Sequence, residues 1–279
     1  MYVQFSSPGN TFRGPRTGPQ SLSGDLDAPG RACDGSPMAT TYRLFAPVTP
    51  GLEPLLADEL VELGLARPRA LAGGVELSGA REDLWRIAAC SRLAEGVRVR
   101  LGQPFAARSF EALQAGVMRA PWAAYLRRGA FRVQIKVSCS KSRLYHSGAV
   151  EQRVREALEA RLGSPAAGAP ASTLFVRLER DQAQLSLDAT GPLYRRGYRS
   201  HVVDAPLRET LAAALVRAAQ IGTEDPIWDP LCGSGTIVLE ALARSAGRWP
   251  GMGRPLAFER WPTHDAGAHQ RWLAGLARP

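Results

Sequence analysis

Residues 226–246 read Pro-Ile-Trp-Asp-Pro-Leu-Cys-Gly-Ser-Gly-Thr-Ile-Val-Leu-Glu-Ala-Leu-Ala-Arg-Ser-Ala. A short apolar stretch (Pro226, Ile227, Trp228) runs into a glycine-rich turn, and a helical pattern follows from Thr236 to Ala246. Strand, glycine turn and helix in that order form the local context that binds nucleotides or adenosyl groups at the start of a doubly wound α/β unit. Glycine has no Cβ, so the chain can turn tightly and let a ligand approach the backbone. Asp229, at the strand end, is placed for a polar contact. No Lys-Ser/Thr follows the last glycine, which argues against a phosphate loop of the G-x-x-x-x-G-K type. The spacing is also not G-x-G-x-x-G, which argues against a dinucleotide. A glycine turn that holds no ligand is the remaining alternative.

Upstream, the pattern changes to α+β. Thr41–Pro47 reads as a strand. Gly51–Leu63 carries Leu52, Leu55, Leu56, Leu60 and Leu63 at helical spacing, with Pro54 tolerated in the first turn and Gly64 as a stop. Gly74–Leu77 reads as a strand, 81–94 as a helix and 96–101 (GVRVRL) as a strand with alternating arginines. Residues 109–127 read as helical, broken at Pro121. Phe131–Val137 alternates as a half-buried strand does, with Arg132, Gln134 and Lys136 on its polar face. An amphipathic helix over 148–162, a loop over 164–170 and a hairpin of 174–178 with 184–188 complete two small sheet-and-helix modules. Residues 1–40 have no apolar periodicity and are rich in Ser, Gly and Pro, so they are expected to be disordered. Met38, just before the first patterned stretch, is expected to be the natural start.

The net charge of +9 is unevenly distributed. From Arg92 to Arg155 there are 13 Arg and Lys against Glu95, Glu111 and Glu151, whereas the remaining 22 basic and 23 acidic residues nearly cancel. Arginine in place of lysine suggests a G+C-rich genome, but residue preference does not create a local excess of positive charge. A localised basic block fits a polyanionic partner, with a merely solvated basic face as the alternative. Arg132, Lys136, Lys141, Arg143 and Tyr145 are the expected nucleic-acid surface. Tyr145 and His146 are placed to stack on unpaired bases, although single aromatics more often simply pack. The four cysteines and four histidines are scattered, so neither a metal site nor a disulfide framework is expected. No run approaches the ~20 apolar residues of a membrane span, and the N-terminus lacks a signal-peptide pattern. A cytoplasmic protein is the expectation.

The stretch Asp229-Pro230-Leu231-Cys232-Gly233-Ser234-Gly235-Thr236, with Glu240-Ala241 downstream, resembles the first motif of class I RNA methyltransferases that carry a THUMP domain, the RlmL-like guanine-N2 methyltransferases. Leu193–Arg199 (LYRRGYR) resembles the family's signature ahead of the methyltransferase domain. Ala205–Val216 resembles the helix before its first strand, and Leu44–Leu63 its ferredoxin-like start. The resemblance implies an α+β part over 41–189, a ferredoxin-like segment plus a THUMP domain, followed over 190–279 by the start of an α/β Rossmann-like methyltransferase domain. It implies S-adenosyl-L-methionine as cofactor, held by Asp229, Pro230, Cys232, Gly233, Ser234, Gly235 and Thr236. Glu240 is the matching helix carboxylate, whose role is structural or holds the loop. Pro206 and Arg208 lie in the segment expected near the methionine end. Arg195, Arg196 and Arg199 are assigned to RNA phosphate, the alternative being that with Tyr198 they brace the joint between the two parts. The implied partner is RNA, mainly 23S ribosomal RNA.

The chain departs from this family in one respect. Its catalytic loop is of the N-P-P-Y type, and this sequence contains no Pro-Pro. No second strand ending in an acidic residue is found, and a lone strand cannot make a sheet. Residues 248–279 resemble the family's Trp-rich insertion after the first helix. The methyltransferase part is therefore expected to be truncated and without turnover by itself, with no catalytic residue to name. A THUMP-type RNA-binding module, its methyltransferase half vestigial or completed by a second chain, is the alternative.

Overall fold

The computed structural model describes residues 2–3, 41–198, 206–222 and 225–276. Met38, nearly all of the segment expected to be disordered, and Arg199 lie outside the described residues.

The first part alternates strands and helices: β2 (Tyr42–Pro47), α1 (Glu53–Glu62), β3 (Arg69–Leu71), β4 (Gly74–Gly79), α2 (Arg81–Cys90) and β5 (Arg98–Arg100). The short strand β3 has no apolar alternation and escaped the sequence reading. It is held by hairpin pairing with β4, Ala70 opposite Val75. The next elements are β6 (Phe105–Ala106), α3 (Phe110–Arg119), a 3-10 turn at Trp122–Ala124, β7 (Val133–Ser140), α4 (Ser147–Leu162), β8 (Ser172–Glu179) and β9 (Gln182–Asp188). Ser109 caps α3 by accepting from the Ala112 amide at 3.3 Å.

The two small modules share one sheet. The strand order is β3-β4-β2-β5-β9-β8-β7, with β6 beside β9. The join is β5 against β9, Val99 opposite Leu187. Only β7 and β8 run parallel, as the intervening helix α4 requires. Leu44, Leu77, Val99, Leu187, Val176 and Ile135 face one side and form a single core with Leu56, Leu60, Ile87, Val154 and Leu158 of the helices. The other side of the sheet carries the alternate residues, among them Arg43, Arg98, Arg100 and Arg177.

The last part contains α5 (Glu209–Ala218), β10 (Ile227–Trp228), α6 (Thr236–Ser245), a 3-10 turn at Ala257–Arg260 and α7 (Ala266–Ala274). The helices α5 and α6 pack together over a small second core of Val216, Ile227, Val238 and Ala241. Strand β10 is not alone. It pairs antiparallel with β1 (Tyr2–Val3), so two residues of the expected disordered extension are in fact strand. An open strand edge offers unpaired backbone groups that such a partner satisfies.

Residues 251–276, grouped by sequence with the methyltransferase part, pack back onto the first part. Trp85 of α2 meets His269 at 4.8 Å and Trp272 at 5.9 Å between ring centroids. Trp261 stands edge-on to Tyr125 at 4.9 Å. Gly251 permits the approach: its amide donates to the Ala89 carbonyl at 2.9 Å, and a Cβ there would run into the backbone carbonyl of Ala88. Gly251→Ala is therefore expected to cost about 1–3 kcal/mol through overpacking and to speed proteolysis within 248–276. An unchanged thermal midpoint and digestion pattern would refute this.

Candidate cofactor turn and nucleic-acid interface

The glycine turn follows β10 directly. Gly233 and Gly235 have φ of +50° and +71°, backbone conformations that favour glycine. Gly235 is the left-handed N-cap of α6, and its amide donates to the Cys232 carbonyl at 2.7 Å. Asp229 accepts from the Leu231 amide at 3.1 Å, which fixes the entry to the turn. Thr236 and Gly235 are buried, whereas Leu231 at the turn's tip is 91% exposed and Trp228 72% exposed. The exposed tip of the turn thus adjoins the buried start of α6, whose amides suit polar or negative ligand groups.

Glu240 lies one turn along α6 and does not face a ligand. It is 1% exposed. Its carboxylate accepts from Arg196 Nη1 and from the Tyr198 hydroxyl, and Arg92 Nη1 lies 3.6 Å away. Burial, then the adjacent carboxylate, pushes the Tyr198 phenol above its ordinary range. Arg92 Nη2 also donates to the carbonyls of Ala243, at 3.3 Å, and Arg248. Of the two sequence readings of Arg196, RNA phosphate or a brace of the joint, its surroundings favour the brace. Its side chain is 3% exposed and its guanidinium is spent on Glu240 and the Arg92 carbonyl, so it braces the joint.

Other contacts tie the same joint. Arg208, expected near a cofactor, instead pairs with Glu95 at 3.2 Å and lies over Tyr194 at 5.4 Å. Arg217 donates to Glu62 at 2.8 Å. Arg254 donates to the carbonyls of Leu193, Pro192 and Arg195 at 2.8–3.0 Å. Pro206 is only partly exposed. A cavity of about 370 Å³ opens at this joint rather than at the glycine turn, lined by Arg92, Arg196, Tyr198, Glu240 and Trp249 among others. Sequence reasoning missed Arg92, Glu62 and Arg217. Their partners lie more than a hundred residues away, and no local spacing announces them.

The expected RNA residues divide between two places. Arg132 and Lys136 are exposed on the sheet side opposite the helices. Lys141, Arg143 and Tyr145 occupy the loop after β7, with Tyr145 80% exposed. Arg143 is partly neutralised by Asp181, 3.6 Å away. His146 is taken up as the N-cap of α4, accepting from the Ala149 amide at 3.2 Å. Arg195 is exposed. Arg98, Arg100, Phe175 and Arg177 were not singled out, although the alternation of GVRVRL already places Arg98 and Arg100 on one face. Among the described residues, no group of His, Cys, Asp or Glu is arranged to hold a metal, and no helix is long and apolar enough to cross a membrane.

Two family models match the chain: the RlmL ferredoxin-like domain over residues 43–98, and the RMKL-like methyltransferase domain over residues 196–276. The chain is 36% identical over 260 residues to the ribosomal RNA large subunit methyltransferase K/L of Syntrophotalea carbinolica, covering 86% of this chain and 36% of that protein. It is also 36% identical to the protein of the same name from Methylococcus capsulatus, covering 86% of this chain and 35% of that one. The chain thus spans about a third of the length of these curated relatives. Among solved structures, SMU.472, classed as a methyltransferase and crystallised with SAH, superposes with a TM-score of 0.75 at 30% identity, covering 84% of this chain and 64% of that one.

The buried cluster at Glu240 yields a stability prediction. Glu240→Ala leaves two guanidinium groups together with their anion removed, and is expected to cost about 3–5 kcal/mol. The denaturant midpoint reads this directly. A cost under about 1 kcal/mol would mean that the joint is held elsewhere.

Proposed function

We propose that this chain is the RNA-binding front portion of an S-adenosyl-L-methionine-dependent methyltransferase that modifies the N2 amine of a guanine in 23S ribosomal RNA. The observation that carries the reading is the left-handed glycine turn between β10 and α6, in a stretch matching the RMKL-like methyltransferase domain. Asp229, Pro230, Cys232, Gly233, Ser234, Gly235 and Thr236 would hold the cofactor, which supplies the methyl group. The turn fits that role in its positive-φ glycines and its exposed face. Within 41–189, the region after the ferredoxin-like segment takes the part of the THUMP domain, and Arg132, Lys136, Lys141, Arg143, Tyr145 and, beyond it, Arg195 supply RNA contacts. Localised positive charge gives salt-sensitive phosphate affinity.

The chain contains no Pro-Pro and hence no N-P-P-Y loop to position a target amine. Methyl transfer depends chiefly on holding donor and acceptor in line, so this chain alone is expected to have no turnover. A second reading, an RNA-binding module whose methyltransferase half is completed by another chain, draws support from the exposed Leu215, Trp228 and Leu231 around α5 and the turn. Such apolar surface is suited to covering by further protein.

Titration of the full chain with a ribosomal RNA fragment, at about 50 and about 200 mM salt, should show affinity falling at least tenfold. Tritiated S-adenosylmethionine should leave no label in the RNA. Salt-independent binding would remove the RNA reading, and methyl incorporation would overturn the expectation of no turnover.

A further inference from the structure

We infer that the uncovered face of the eight-stranded sheet is a binding platform for an unpaired RNA strand, running from β3 at one edge toward β7 at the other. This rests on the RNA reading above and adds to it a surface and a strand type.

Residues paired in register point to the same side of a sheet. Arg98 is opposite Phe45 on one neighbouring strand and Asp188 on the other. Arg100 is opposite Ser186, Ser186 is opposite Phe175, and Phe175 is aligned with Lys136. Arg177 is opposite Gln184. At the far edge Arg69 is opposite Glu76, which is opposite Phe45. Cations therefore stand on β3, β2, β5, β8 and β7 of one continuous face. At about 4.8 Å per strand step, the row spans the length of several nucleotides.

The face is also concave. A groove of about 580 Å³ is lined by Arg43, Arg69, Arg100, Arg177 and Arg180 against Glu76 and Glu179, five positive charges to two negative. Glu76 is shared by Arg43, Arg69 and Arg100 at 3.1–3.4 Å, so one carboxylate holds three guanidinium groups in place without cancelling them.

Arg98 distinguishes this face from an ordinary solvated sheet surface. Its guanidinium sits 3.6 Å above the Phe175 ring centroid and 6.0 Å from that of Phe45. Among the described residues it forms no ion pair. Burial depresses its pKa to about 10, the cost of holding a charge in partly desolvated surroundings. Lys136 lies over the same Phe175 ring at 5.8 Å. A partly desolvated cation 3.6 Å from an aromatic ring centroid offers a phosphate its donors and an unpaired base a plane to stack on. A duplex keeps its bases stacked inside and would gain only the phosphate contacts.

The test uses the full 279-residue chain and a fluorescein-labelled single-stranded oligouridylate, read by anisotropy. Arg98→Gln with Arg177→Gln is expected to weaken binding at least tenfold and to lower the salt slope by about 1.4, two phosphate contacts at about 0.7 each. Arg119→Gln with Arg161→Gln, which removes equal charge from the helix layer, should change affinity less than threefold. Circular dichroism checks folding. If the first pair does not fold, Arg177→Gln with Lys136→Gln, both exposed, takes its place with the same expectation. Equal weakening by both pairs, or no weakening by the sheet pair, overturns the platform. So does a duplex of the same length binding equally well, or polyglutamate of equal charge displacing the strand as effectively as oligouridylate. Failure of the unmodified chain to bind any RNA sinks the RNA reading itself, and is distinguishable because no variant is then needed.

Discussion

A single buried carboxylate, Glu240, joins the two parts of the molecule. Three side chains reach it from two segments: Arg92 from the loop after α2, and Arg196 and Tyr198 from the segment before α5. Burying any of these groups alone would be costly, because each gives up its hydration. Together they offset one another, with Arg92 Nη1 and Arg196 Nε still without a hydrogen bond, only when α6 lies against the loop at 91–93. That loop is itself set by a second buried acid, Glu59, which accepts from the Ser91 hydroxyl at 2.6 Å and the Arg92 amide at 2.8 Å. Burial pushes the Glu59 carboxyl up, while these donors pull it back. The position of the glycine turn at the head of α6 is thus referred, through Glu240, Arg92 and Glu59, to helix α1 of the ferredoxin-like part.

The same arrangement explains why the sheet has two unlike sides. All four helices of the first part feed one core with the apolar alternates of the strands. Residues 251–276 pack along the helix α2 and the aromatic cluster at Trp261, adding to that layer. The opposite face of the sheet is left with Arg43, Arg98, Arg100 and Arg177. An antiparallel sheet with one solvated side normally alternates apolar and polar residues, and that rule alone would be met by serine, threonine or glutamine. Arginines stacked on Phe45 and Phe175 exceed what solubility requires.

Much of the architecture is legible in the sequence, because helical and strand periods reflect burial on one side of each element. The helices at 53–62, 81–90, 147–162 and 236–245 lie where apolar spacing puts them, within a few residues at their ends. The glycine turn is legible because Gly233 and Gly235 adopt backbone angles that other residues resist. Pairings across long separations are not legible. Nothing in GVRVRL indicates that β5 will meet β9 and fuse two modules into one sheet. The choice between the two readings of Arg196 is not legible for the same reason: an arginine among arginines resembles a phosphate contact until its partner 44 residues on is known to be buried beside it. The sequence match to the methyltransferase domain runs through residues 251–276, but that the contacts of Trp261 and Trp272 lie in the first part is not legible from it.

The basic block at 92–155 reads in sequence as one footprint, yet the fold gives several of its members three different fates. Arg92 is consumed in the joint. Arg153 and Arg155 pair with Glu156 and Glu151 on the surface of α4, where such pairs contribute little. Arg98, Arg132 and Lys136 remain on the open sheet face. Only this last group combines positive charge, a shared surface and, at Arg98, partial desolvation. A linear count of charge therefore overstates the number of residues available to a polyanion and understates how closely the available ones are grouped. The grouping follows from strand register, which brings Arg98, Phe175 and Lys136 together from three strands distant in sequence.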